Sequence, residues 1–328
     1  MHSIDLKNIK IRSDLIIESL NNINESYSEN DIVVDYIHLN KDNKLKKNPG
    51  DYITISFIDI TDNNNYNNVL KVLDKELNRI LKLSNIKKKS KGLIIGLGNK
   101  KSTPDSLGYE VLKHINVTRY LDELEVLDNN YRSIAILEPN VIGNTGIDSY
   151  EIILGVVKNI KPDFIIAIDS LASNSTKRIE KTIQITNSGI EPGSGIGNNR
   201  KELTLKTLKI PVIAIGVPTV VSSAIIVQDT IEFLMKKISY HKNNYNKDKL
   251  IPKYNIKYEK TENNLSKFER EKLLGLIGTL SDKERMELIL EVLNPIGYNF
   301  IVSTKEIDFM IEKLGELIGT SLNHVLHK

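Results

Sequence analysis

Two aspartates in the middle of this sequence follow apolar, strand-like runs, and carboxylates so placed can do acid–base chemistry. Leu93-Ile94-Ile95-Gly96-Leu97-Gly98 leads through Thr103-Pro104 to Asp105, and Phe164-Ile165-Ile166-Ala167-Ile168 runs straight into Asp169. Continuous β-rich runs of this kind suit strands of a sheet buried on both faces. In open α/β sheets, ligands bind outside the carboxyl ends of the strands. Two carboxylates brought together there push their pKa values apart, so that one holds a proton while the other stays ionised. Such a pair is equipment for acid–base attack on an amide. Periodicity alone leaves open the alternative that each aspartate merely caps a strand or turn.

Other chemistry is thinly represented. The 328 residues include no cysteine, which removes thiol nucleophiles, disulfides and cysteine-based metal sites together. The histidines (His2, His38, His114, His241, His324 and His327) are scattered, and neither H-E-x-x-H nor G-x-S-x-G occurs. Ser170 and Lys177 have no diagnostic spacing. Three glycine-rich loops stand out: Gly96 to Asn99, Glu138 to Asp148, and Ser188 to Glu202. Glycine lets a backbone turn sharply and approach a ligand closely. The first and third loops do not complete G-x-G-x-x-G, and no P-loop motif is present, so phosphate binding fails on spacing. The formal charge of +3, from 45 basic and 42 acidic residues, makes no electrostatic case for nucleic acid. The N-terminal residues lack the apolar core of a secretory signal, and no apolar run approaches membrane-spanning length; a soluble intracellular protein is expected.

The elements that must position the aspartates follow from the pattern. Ile32 to Leu39 and Tyr52 to Ile58 alternate like strands, and Val69 to Leu83 carries one apolar helical face. Leu15 to Leu20 could begin a helix. A strand over Gly92 to Leu97 is followed by a helix over Asp105 to Ile115, with Thr103 as cap and Pro104 in the first turn. Strands over Ser133 to Leu137, Pro162 to Asp169 and Ile210 to Val217 alternate with a helix over Asp148 to Ile160. The alternation predicts an α/β fold with a doubly wound, mostly parallel sheet, extra N-terminal strands and a helical C-terminal region. The organisation expected is an α/β core over 15–240 with an N-terminal strand subdomain, a polar linker or excursion over 241–264, and helices over 265–328. Leu273, Leu274, Leu276 and Ile277 mark one of these helices, and Ile307, Met310, Ile311, Leu314 and Leu317 another.

The motif string closely resembles the germination (spore) protease family. It includes Gly96-Leu97-Gly98-Asn99, Thr103-Pro104-Asp105-Ser106-Leu107-Gly108, Thr145-Gly146-Ile147, and Lys161 through Ala172 around Asp169. It continues with Thr182-Ile183-Gln184-Ile185, Pro192 through Asn198 with Arg200-Lys201-Glu202, Ile210 through Val221, and Gly275 through Leu280. The resemblance covers nearly the whole chain. It implies a self-processing endopeptidase, made as a zymogen, that degrades small acid-soluble spore proteins at germination. It carries the catalytic aspartates of an atypical aspartic-type protease onto Asp105 and Asp169. Arg12-Ser13-Asp14-Leu15-Ile16-Ile17-Glu18 looks like the family's processing site, so cleavage is expected between Asp14 and Leu15, freeing a propeptide of residues 1–14.

Substrate contacts are expected at Gly98, Asn99, Gly193, Gly195, Arg200 and Lys201, the last two as cations for an acidic substrate residue. The resemblance further implies a phosphorylase/hydrolase-like fold similar to that of hydrogenase-maturation peptidases. It also implies a homotetramer and a place in the forespore or spore core; no cofactor or metal is expected, and charge and hydropathy lead us to expect neither direct nucleic-acid binding nor membrane association. Some residues depart from the family pattern: Glu138-Pro139-Asn140, Glu191, Lys209 and Ser222 replace more usual types. Two alternatives stay open. The same acidic residues could serve a metal-dependent peptidase through oxygen-only ligation, or the chain could be a catalytically silent module that binds spore proteins.

Overall fold

The computed structural model describes residues 13–19, 23–43, 45, 47–192, 201–243, 265–293 and 300–327. The chain divides into two compact units, the larger formed by Arg12–Ser173, Lys177–Val220 and Ser303–Lys328. In chain order the larger unit begins with β1 (Glu25–Glu29), β2 (Ile32–Leu39), β3 (Gly50–Ser56), α1 (Asn63–Leu83) and β4 (Gly92–Gly96). It continues through α2 (Leu107–Leu112), α3 (Arg119–Glu123), β5 (Ile134–Leu137), α4 (Ile142–Thr145), α5 (Ser149–Ile160) and β6 (Phe164–Ser173). Then come β7 (Thr182–Thr186), α6 (Leu205–Leu208) and β8 (Val212–Ser222), whose last two residues belong to the smaller unit. The smaller unit adds α7 (Ser223–Asn243), α8 (Lys267–Leu274), α9 (Leu276–Thr279), α10 (Asp282–Leu293) and β9 (Ile301–Val302). The chain returns to the larger unit for α11 (Ile307–Leu326).

The strands follow the order β1-β2-β3-β7-β8-β6-β4-β5. The pairs β4–β5 and β4–β6 are parallel, whereas β1–β2, β2–β3, β3–β7 and β7–β8 are antiparallel. The expectation of a mostly parallel sheet is therefore corrected: this is a mixed sheet. One cause is visible at the hairpin between β1 and β2. There Asn30 and Asp31 take φ of 51° and 62°, the left-handed pair of a two-residue turn that only an antiparallel ribbon accepts.

Alternation along the strands sorts side chains to two faces. Leu93, Ile95, Ile165, Ala167 and Val212 pack with Ile153 and Val157 of α5 and Leu208 of α6. Ile94, Phe164, Ile166, Ile168, Ile213 and Ile215 pack on the opposite face with residues of α1, α2 and α11. Helices thus cover both faces, which is why these strands read as unbroken apolar runs.

Several boundaries differ from the sequence pattern. Helix α1 starts six residues before Val69, because Asp62 caps it by accepting from the N–H groups of Asn64 and Asn65. Leu15 to Leu20 yields only a 3-10 turn over Ile16–Glu18. Asp105 closes a second 3-10 turn, Thr103–Asp105, rather than opening α2, and β6 runs past Asp169 to Ser173. The helix expected across Leu273–Ile277 breaks into α8 and α9 at Gly275, whose φ of +58° strains any other residue. In the smaller unit, β9 pairs antiparallel with the end of β8, and Ala224 of α7 packs with Ile289 and Leu290 of α10. The expected linker over 241–264 falls, beyond Asn243, outside the described residues. Among the described residues no helix is long and apolar enough to cross a membrane.

Candidate active site

The neighbouring parallel strands β4 and β6 place Gly96 opposite Ile168, and the Leu97 N–H donates to the Ile168 carbonyl at 2.8 Å. Beyond this point the chain doubles back tightly. Gly98 has φ +97°, and a Cβ there would fall 2.1 Å from the Asp105 carbonyl oxygen. That oxygen accepts from the Asn99 N–H at 2.8 Å, and the Asp105 N–H donates to the Ser102 carbonyl at 2.8 Å. From β8, Thr219 Oγ1 donates to the Pro104 carbonyl at 2.6 Å. Asp105, half-buried, is thus held at the carboxyl end of β4. Gly98 and Asn99 hold this loop. Asn99 Oδ1 also accepts from Asn144 Nδ2 at 2.9 Å, tying it to the second glycine-rich loop.

Asp169 is buried, 6% exposed, and its Oδ1 accepts from the Ser170 N–H at 3.0 Å. It lines a cavity of about 70 Å³ together with Asp14, Lys47, Tyr52, Gln184 and Glu191. Asp105 is not among the described residues that line it. Among the described residues, the carboxylates that share this cavity with Asp169 belong to Asp14 and Glu191.

Residues 13 to 18 lie docked along the end of the sheet. The Asp14 N–H donates to the Ala172 carbonyl at 3.1 Å, and the Ala172 N–H donates to Asp14 Oδ2 at 2.9 Å. Gln184 Nε2 donates to the Asp14 carbonyl at 3.3 Å, and Gln184 Oε1 accepts from the Ile16 N–H at 2.7 Å. Lys47 Nζ donates to the Ser13 carbonyl at 3.4 Å. Leu15 and Ile16 are 0% and 1% exposed, and Ile16 packs with Ile37, Leu39 and Tyr52. The Glu18 carboxylate accepts from Ser13 Oγ and from Ser173 Oγ, the latter at 2.6 Å, with Arg178 Nε 3.5 Å away. Burying this much backbone requires partners for its polar groups, and the body of the protein supplies them.

The cavity's antiparallel side is wired by hydroxyls. Tyr52 donates to the Asn48 carbonyl at 2.6 Å and accepts from Ser188 Oγ at 2.8 Å, which also meets Thr186 Oγ1 at 2.8 Å. Burial pushes the Tyr52 phenol up from its ordinary 10, so it stays a donor at neutral pH. Next to it, burial tends to raise the Asp51 carboxyl. Hydrogen bonds from Tyr36, His38 and Asn187 outweigh that effect and hold it below 3.8.

Lys201 is exposed, and its Nζ lies 5.2 Å from the Tyr150 ring centroid; it does not line the cavity. Gly193, Gly195 and Arg200 lie outside the described residues. Pattern reading missed Gln184, Lys47, Tyr52 and Ala172 as contacts of the docked segment. For Gln184 a signal existed: a primary amide centred in the β-rich run Thr182-Ile183-Gln184-Ile185 must find partners somewhere. Among the described residues, no group of three or more His, Asp or Glu side chains is placed to hold a metal ion.

Fold and site together define an α/β protein whose buried carboxylate, within a strand of the sheet, borders a cavity lined in part by a docked segment of its own chain. Comparison with known proteins gives this class a family. The germination protease family model matches residues 9–328. A germination protease of Priestia megaterium is 38% identical over 353 residues, covering 99% of this chain and 95% of its own length. One from Oceanobacillus iheyensis is 38% identical over 97% of this chain and 95% of its own. One from a Geobacillus species is 39% identical over 99% and 96%. The chain belongs to the germination protease family.

Proposed function

We propose that the chain is a self-processing endopeptidase that cuts its own Asp14–Leu15 bond, releasing residues 1–14, and then degrades small acid-soluble spore proteins during germination. The observation that carries this reading is the docking of residues 13 to 18. Asp14 lines the same cavity as Asp169, and the carbonyl of the peptide bond after Asp14, the flanking N–H groups and the apolar side chains are all engaged. A chain that presents an acidic residue followed by an aliphatic one in this way is positioned to cut it and to accept similar sequences from other proteins.

Asp169 and Asp105 form the acid–base pair. One, ionised, takes a proton from water; the other, protonated, polarises the carbonyl and then protonates the departing amine. The pair titrates as a unit, and its members are not assigned separately. In this reading Gly98 and Asn99 serve by fixing the Asp105 loop, and Gly193, Gly195, Arg200 and Lys201 contact the substrate. The fold is of the phosphorylase/hydrolase-like type, the assembly a homotetramer, and the location the forespore or spore core.

Asp14 and Asp169 share one cavity, and burying two negative charges together is costly. Processing is therefore faster in mild acid than at neutral pH. Intact mass and N-terminal sequencing of the full chain, incubated across that range, test both points. Wild type is expected to gain an N-terminus at Leu15, fastest in acid, whereas Asp169→Asn and Asp105→Asn retain residues 1–14. Processing by either variant overturns the aspartate assignment. A rate that is flat with pH overturns the charge argument.

A further inference from the structure

Gln184 sits in the middle of β7, in register between Thr54 of β3 and Gly216 of β8, and is 7% exposed. A buried primary amide must satisfy both its oxygen and its nitrogen. Here it satisfies both on the docked segment, Oε1 receiving the Ile16 N–H at 2.7 Å and Nε2 reaching the Asp14 carbonyl at 3.3 Å. The partners fix its orientation, since an N–H calls for the oxygen and a carbonyl for the nitrogen. One side chain therefore brackets the Asp14–Leu15 peptide bond. It holds the carbonyl before that bond and the second N–H after it. Both contacts are to backbone, so they place a peptide in register without reading its side chains.

Resting on the reading that Asp14–Leu15 is the bond cut, we propose that Gln184 is a catalytic residue of the peptidase reaction. It clamps the peptide and donates to the oxygen on which charge develops. As the water oxygen bonds to the Asp14 carbonyl carbon, the carbonyl π pair moves onto that oxygen, where Nε2–H meets it. One water proton passes to the ionised aspartate. When the oxygen pair re-forms the double bond, the carbon–nitrogen bond breaks and the Leu15 nitrogen takes a proton from the acid partner. The products are a carboxyl at Asp14 and an amine at Leu15, with Gln184 unchanged. A fixed donor aimed at such an oxygen stabilises the transition state more than the ground state.

The titratable groups around the cavity that Gln184 faces are Asp14, Lys47, Tyr52, Asp169 and Glu191. They make Gln184→Glu the informative variant. Its carboxyl, when protonated, offers an O–H to the Asp14 carbonyl and an oxygen to the Ile16 N–H. When ionised it loses the donor and adds charge beside Asp14, Asp169 and Glu191. The experiment measures first-order self-processing of the full chain by N-terminal sequencing and mass, across mildly acidic to neutral pH, for wild type, Gln184→Leu and Gln184→Glu. Gln184→Leu is expected to be slower by about 10²-fold or more at every pH. Gln184→Glu is expected to approach wild type in acid and to fall away steeply as the pH rises through its carboxyl's pKa, a profile that a purely structural glutamine would not produce. Processing of Gln184→Leu at the wild-type rate, with the cut at Asp14–Leu15, overturns the clamp alone. So does a wild-type pH profile in Gln184→Glu. A wild-type cut at another bond overturns the cleavage reading and the clamp with it.

Discussion

The parallel half of the sheet, β4 to β6, and the antiparallel half, β1 to β3 with β7, serve the docked segment with different side chains. From the parallel half come Asp169, which lines the cavity with Asp14, and the backbone of Ala172; Asp105 sits on the loop after β4, outside the lining. From the antiparallel half come Gln184, Tyr52 and, on the loop before β3, Lys47: an amide, a phenol and an ammonium group. The first half offers carboxylates and backbone, and the second offers mainly hydrogen-bond donors. In the function proposed above, bond breaking falls to the parallel half, while holding the peptide is shared, with Ala172 on one side and Gln184 on the other.

Substitutions can break this division, and the largest effect belongs to the parallel half. Asp169→Asn and Asp105→Asn are expected to lower self-processing by about 10³-fold or more, while the Ile16 N–H stays protected from hydrogen exchange because Gln184 still holds it. Loss of that protection in either variant would blur the division. Next comes the segment itself. Leu15→Ala removes a fully buried side chain, and the expected cost is about 2–5 kcal/mol of docking. It should appear as faster exchange at Ile16 and easier nicking of residues 13 to 18 by an added protease.

The smallest expected effect lies on β3, within the antiparallel half. Asp51 has a folded-state carboxyl held below 3.8. Its contribution to stability is present above the unfolded value and is lost as pH falls through the lower folded value. Asp51→Asn is expected to cost about 1 kcal/mol near neutral pH and to flatten the acid side of the stability curve, read by thermal melts at several pH values. A steeper acid limb in the variant would reverse the sign of this contribution.

The parallel half was legible because burial on both faces writes itself as unbroken runs such as Phe164 to Ile168, and because glycine punctuates the close crossing at Gly98. The antiparallel half was less so. Its β1, Glu25 to Glu29, is polar and its residues are mainly exposed, so no apolar period announces it; pairing with β2 defines it. The residues around the bond after Asp14 were visible as a motif, but Gln184 lies 170 positions from Asp14. No local pattern reveals a contact that forms only when the fold lays the N-terminal segment over the middle of β7. Asp105 and Asp169 were singled out by their runs, yet only the folded chain separates the one that lines the cavity from the one held behind Gly98.

The anchoring of Leu15, Ile16 and Glu18 has a further consequence. On the reading proposed above, a cut after Asp14 would detach residues 1–14 and leave these three behind; here Ile16 is seated among Ile37, Leu39 and Tyr52, and Glu18 is held beside Ser173 and Arg178. An amino terminus formed there would be fastened to the body of the protein through its second and fourth residues rather than hanging free.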